Sequence, residues 1–104
     1  MGILIGLAGN NYYNKYCVFK VIVINATDKS GMYYEIDWEK DQISGKELGR
    51  GFGITHKNVN LPTNGVLKIM VNGKKYQDIV YSRNLASMTN YITIRDDGIL
   101  FGED

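Results

Sequence analysis

The 104-residue chain predicts an all-β fold: a single antiparallel β-sandwich of about seven or eight short strands, spanning residues 1–104 as one domain. Three observations carry this. Short β-rich runs are broken by turn residues too closely spaced to leave room for helices between them. Asn72-Gly73 and Asp97-Gly98 each stand between two such runs, and Asn-Gly supplies the two positive-φ residues of a type I′ hairpin. "MYYEIDWE", Met32 to Glu39, alternates strictly, with Met32, Tyr34, Ile36 and Trp38 on one face and Tyr33, Glu35, Asp37 and Glu39 on the other.

Taken in order, the first strand is expected near Ile3–Leu7, in "MGILIGLAG". The second covers Cys17–Ile24; "CVFKVIVI" is apolar on both faces apart from Lys20, which suits a central strand covered on both sides or one at a subunit contact. Met32–Trp38 follows, after the Ser30-Gly31 turn. "DWEKDQISGKEL" is read as a possible helical turn interrupted by Gly45, and Glu47–Ile54 as a strand. Asn64-Gly65 precedes Val66–Val71, and Lys75–Tyr81 forms the other arm of the Asn72-Gly73 hairpin. "SRNLASMTN" has room for two helical turns at most before Tyr91–Arg95 and Ile99–Phe101. The expected core is Phe19, Val21, Val23, Tyr34, Ile36, Trp38, Leu67, Ile69, Val71, Ile79, Ile92 and Ile94. Short strands and tight turns leave two architectures, a sandwich with an immunoglobulin-like or transthyretin-like layout or, as the alternative, a small β-barrel.

Twelve Lys and Arg against eleven Asp and Glu give a net charge of +1, and the longest basic run is Lys74-Lys75. Proteins that hold nucleic acid through its phosphates show a basic excess or stripe, so nucleic acid is not an expected partner. Arg50-Gly51-Phe52-Gly53 opens like an RNA-binding strand motif, but that motif requires aromatics where Ile54 and Lys57 stand. The helices that should flank it are also missing. A barrel that stacks single-stranded bases on tyrosines is a minor alternative. No segment reaches the ~18–20 apolar residues of a membrane span, and no cleavable signal peptide is expected. Cys17 is the only cysteine, so no internal disulfide forms, and the compartment is not specified.

Catalysis is not expected. His56 and Cys17 are the single histidine and cysteine, and no nucleophile–base–orienter pattern surrounds them. A small hydrolase would need that pair to meet in space. No metal site or cofactor is predicted: His56 lacks a second ligand at zinc spacing, and Asp96, Asp97, Glu103 and Asp104 read as a turn followed by a solvated terminus. Asn25-Ala26-Thr27 fits a glycosylation acceptor.

What remains is contact. "GNNYYNKY", Gly9 to Tyr16, combines Tyr and Asn as antibody binding loops do, giving large area at low entropy cost with adaptable hydrogen bonds. The expected binding residues are Tyr12, Tyr13, Asn14, Tyr16, Tyr33 and Arg50, the last in a glycine-rich edge, Gly49 to Gly53. The reading is a non-enzymatic binding or assembly module that recognises a protein partner or itself. The Asn-, Lys-, Ile- and Tyr-rich make-up points to a bacterial or viral source, which a role in a secretion, adhesion or virulence assembly would fit. The alternative is a carbohydrate-binding module with tyrosines stacked on a glycan.

Overall fold

The computed structural model describes residues 18–39, 41–84 and 87–103. They form two four-stranded sheets packed face to face in a β-sandwich. Strands β1 (Val18–Ala26), β4 (Gly53–Val59), β7 (Thr89–Arg95) and β8 (Gly98–Glu103) make the first sheet, in the order β4-β1-β7-β8. Strands β2 (Tyr34–Trp38), β3 (Asp41–Gly45), β5 (Asn64–Val71) and β6 (Lys74–Ser82) make the second, in the order β3-β2-β5-β6. Neither sheet closes on itself, which settles the sandwich over the barrel. Among the described residues all the pairings are antiparallel except one: β1 runs parallel to β7, with Ile22 beside Tyr91 and Ile24 beside Thr93.

In β1, β2, β5, β6 and β7 the period-two pattern decides what the strand buries. Val21 and Val23 of β1 and Ile92 and Ile94 of β7 point between the sheets. They meet Tyr34, Ile36 and Trp38 of β2, Leu67 and Ile69 of β5, and Ile79 and Tyr81 of β6. Each fully buried side chain of this kind contributes about 1.5–3 kcal/mol of transfer free energy. Met32, Leu48, Val59 and Leu61 close the core from the loops and strand ends. Val71 is only half-buried, because it directly precedes the exposed turn; the predicted core position Phe19 lies outside the side chains described.

Two elements differ from expectation. Asp41–Gly45 is a strand, not a helical turn, and it pairs with β2 from Tyr34 beside Gly45 to Trp38 beside Asp41. Residues expected to begin a strand at Glu47 instead form a loop, and β4 starts at Gly53. Glu47 (φ 56°) and Gly51 (φ 81°) both adopt left-handed backbone, through which an extended ladder cannot run. The expected strand Ile3–Leu7 lies outside the described residues.

The loops 27–33 and 46–52 and the turns Asn72–Gly73 and Asp96–Asp97 gather at one end of the sandwich, here called the upper end. β1, β5 and β7 all begin at the lower end. Asn72 (φ 52°) and Gly73 (φ 81°) carry the positive φ pair that a type I′ turn demands. Buried Asn25 ties the upper loops together. Its Nδ2 donates to the carbonyls of Leu48 (3.0 Å) and Lys29 (3.2 Å), and its Oδ1 accepts from Thr27 N (3.0 Å) and Thr27 Oγ1 (2.6 Å).

Candidate interaction face

Tyr33 and Arg50 lie on the upper loops, and both are exposed. Tyr33 is locked to the β5–β6 turn: its N–H donates to Asn72 Oδ1 (3.0 Å) and its carbonyl accepts from Asn72 N (2.8 Å). Its ring lies over Gly73, where an added Cβ would fall 2.9 Å from the hydroxyl. Arg50 occupies a turn closed by Phe52 N–H donating to the Gly49 carbonyl (3.0 Å). Tyr12, Tyr13, Asn14 and Tyr16 lie outside the described residues. The chain enters β1 at Val18, at the lower end, so Tyr33 and Arg50 stand a full strand length from that point.

The outward surface of the β3-β2-β5-β6 sheet mixes charge with exposed apolar side chains, Val66 (46% exposed) lying beside Val80 (86%). On the β3-β2-β5-β6 sheet, the central rows carry Glu35 beside Met70, and Asp37 beside Lys68 beside Asp78. On the β4-β1-β7-β8 sheet, register places Thr55, Ile22, Tyr91 and Gly102 in one row and Gly53, Ile24, Thr93 and Leu100 in the next. Neither of these two rows contains a charged side chain. Charge appears only at their ends, with Lys20 and Lys57 below and Arg95 above.

Gly53 shapes this face. A Cβ there would stand 3.2 Å from Ile22 Cγ2 and 3.4 Å from Ile24 Cγ1, so no side chain at this position adds to the cover of the two isoleucines, which are half-buried. Leu100 on β8 is 54% exposed, and Phe52, just above Gly53, is 70% exposed. Of the glycine-rich stretch only Gly53 enters a strand, β4, at the end of the described sheet order; Gly49 to Phe52 form the loop before it. The run "CVFKVIVI", apolar on both sides, was the signal for this face in the sequence. Gly53, Tyr91 and Leu100 gave none, because only the register brings them beside Ile22 and Ile24.

The opposite candidate is chemical. Between the β3 and β4 edges, Trp38, Asp41, Gln42, Ile43 and residues Thr55 to Asn60 line a cavity of about 440 Å³. His56 points into the sandwich, and its Nε2 is 2.6 Å from the Tyr34 hydroxyl, with the rings edge-on. Burial holds the imidazole below its ordinary pKa and raises that of the Tyr34 phenol. Trp38 Nε1 donates to the Asn60 carbonyl (2.9 Å). Trp38 Nε1 and His56 Nε2 are thus held by other groups of the protein, while both residues line the cavity. Cys17, the other half of the suggested pair, lies outside the described residues. Among the described residues, no three His, Cys, Asp or Glu side chains cluster as metal ligands, and no helix is long and apolar enough to cross a membrane.

Comparison with protein-family models, with curated proteins and with solved structures found no match.

Proposed function

We propose that the protein is a non-enzymatic binding or assembly module that works by protein–protein contact through the outer face of the β4-β1-β7-β8 sheet. The observation that carries this is the pair of adjacent uncharged rows holding Ile22, Ile24, Tyr91 and Leu100; the other sheet's outer face carries Glu35, Asp37, Lys68 and Asp78 beside its exposed Val66 and Val80. Apolar rows with aromatic and aliphatic members, rimmed by charge, have the anatomy of an interface core. A secretion, adhesion or virulence assembly is a fitting setting, supported only by the make-up of the chain.

The test is a photo-crosslinking residue at position 91 of the full chain, expressed in its source cell, with position 78 on the charged face as control. Protein-mass adducts from position 91 and none from position 78 are expected. An absence of adducts at position 91 would count against the reading.

A carbohydrate-binding role is the second reading. It is favoured by the half-exposed ring of Tyr33, which lines a depression of about 670 Å³ with Met32, Lys46, Glu47 and Asn72. Binding on a glycan array that Tyr33→Ala abolishes would move the assignment to it.

A further inference from the structure

We propose that Lys20 and Lys57 form a binding site for a phosphate or sulfate group at the lower end of the β4-β1-β7-β8 sheet, independent of the contact reading above. The two lysines are direct partners across β1 and β4, so their side chains leave the same face side by side. Both are exposed. Among the described residues neither is ion-paired. Elsewhere the ladders set opposite charges together: Asp37 lies beside Lys68, and Lys68 beside Asp78. Among the described strands, Lys20 with Lys57 is the one like-charged pair in direct register. Like charges set directly opposite destabilise a sheet, and an anion held between them turns the repulsion into attraction.

The surroundings of the pair suit an anion. Lys20, Lys57, Asn58, Met88 and Thr89 line a depression of about 460 Å³, and no carboxylate stands among these described residues. Thr89 is the partner of Lys20 on β7, so Lys57, Lys20 and Thr89 form one row across three strands. The Lys20 N–H donates to the Met88 carbonyl (3.2 Å), which holds the entry to β7 against β1. Asn58, at a left-handed φ of 56°, brings an exposed amide to the same place. Lys57 also borders the cavity between β3 and β4, but Asp41 there makes no ion pair with it. Ammonium groups act on phosphate as compact point charges, and two of them match a doubly charged oxyanion. The depression has room for more than a bare oxyanion, so it admits an ester as well as the free anion.

The experiment titrates the full chain with inorganic sulfate, inorganic phosphate, glucose 6-phosphate and glucose. Backbone amide chemical shifts are followed at constant ionic strength set with chloride. Saturable shifts centred on Lys20, Lys57, Asn58, Met88 and Thr89 are expected from the three anions, and none from glucose. Glucose 6-phosphate binding several-fold tighter than free phosphate supports an ester as the source; equal binding supports the free anion. K20Q/K57Q should abolish the shifts and leave the rest of the spectrum in place. In chloride alone its denaturant midpoint should be no lower than that of the wild type, because the repulsion is gone. Lys57→Gln by itself should weaken binding roughly fivefold, since one of two charged contacts is lost. An absence of saturable shifts overturns the proposal. So do shifts of equal size in K20Q/K57Q, which would mark a general salt effect, and a double variant that is less stable than the wild type in chloride, which would mark the lysines as structural.

Discussion

The Tyr34 hydroxyl and His56 Nε2, 2.6 Å apart, join the two sheets across the β2–β4 side of the sandwich. Because burial lowers the folded pKa of His56 below its unfolded value of 6.5, the unfolded chain takes up the proton first. Stability contributed by the neutral imidazole is therefore complete above pH 6.5 and is lost as the pH falls through the folded value. Urea melts at a series of pH values should show this acid slope in the wild type, and His56→Gln should flatten it.

Gly45 is expected to tolerate no side chain. It pairs with Tyr34, and a Cβ there would stand 2.6 Å from Tyr34 Cζ and Oη. The ring has nowhere to retreat, since Tyr34 is fully buried and its hydroxyl is held by His56. Gly45→Ala should cost about 1–3 kcal/mol by chemical denaturation, the usual range for overpacking.

Asn25 should be irreplaceable for a different reason. Both ends of its amide are used, so Asn25→Asp would turn an oxygen onto the Leu48 and Lys29 carbonyls. A loss of about 1–3 kcal/mol is expected, the cost of leaving buried groups unpaired. The same burial hides Nδ2 from glycosylation in the folded domain, although Asn25-Ala26-Thr27 has the acceptor pattern. Mass spectrometry of the folded protein exposed to a glycosylating lysate should find this site unmodified.

Arg83 acts as a clasp at the lower end. It is buried, and its Nε and Nη2 donate to the Leu61 carbonyl at 3.0 and 2.8 Å, while its backbone N–H donates to Thr63 O at 2.8 Å. Arg83→Leu should destabilise by about 2–3 kcal/mol, since charge-assisted bonds are lost and a buried carbonyl is orphaned. Arg83→Lys should recover part of the loss, because it keeps the charge without the fork. Both comparisons are read from denaturant midpoints.

The strands legible in the sequence were those with a strong alternation of burial. β2 buries Tyr34, Ile36 and Trp38 in step, and β6 buries Ile79 and Tyr81 in step. β3 was missed because an edge strand needs no such pattern: four of its five residues are polar or glycine, and only Ile43 packs on the core. Leu48 and Leu61 escaped the predicted core because they cap it from loops, where no periodicity marks them. The candidate face was half legible. Its central strand showed in the doubly apolar "CVFKVIVI", while its width depended on which strands flank β1, and strand order leaves no local trace.

The parallel pairing of β1 with β7 has a consequence for how this chain is made. Lys20 to Ala26 find their neighbour in Thr89 to Arg95, almost the last strand synthesised. The other sheet needs only residues 34–82 and can assemble from neighbouring hairpins while the chain is still emerging. Until β7 leaves the ribosome, β1 has an empty flank and its isoleucines lack their lattice. Such a late, long-range closure is slow, and it holds a sticky edge open in the meantime. Chains released early should therefore aggregate rather than fold in part.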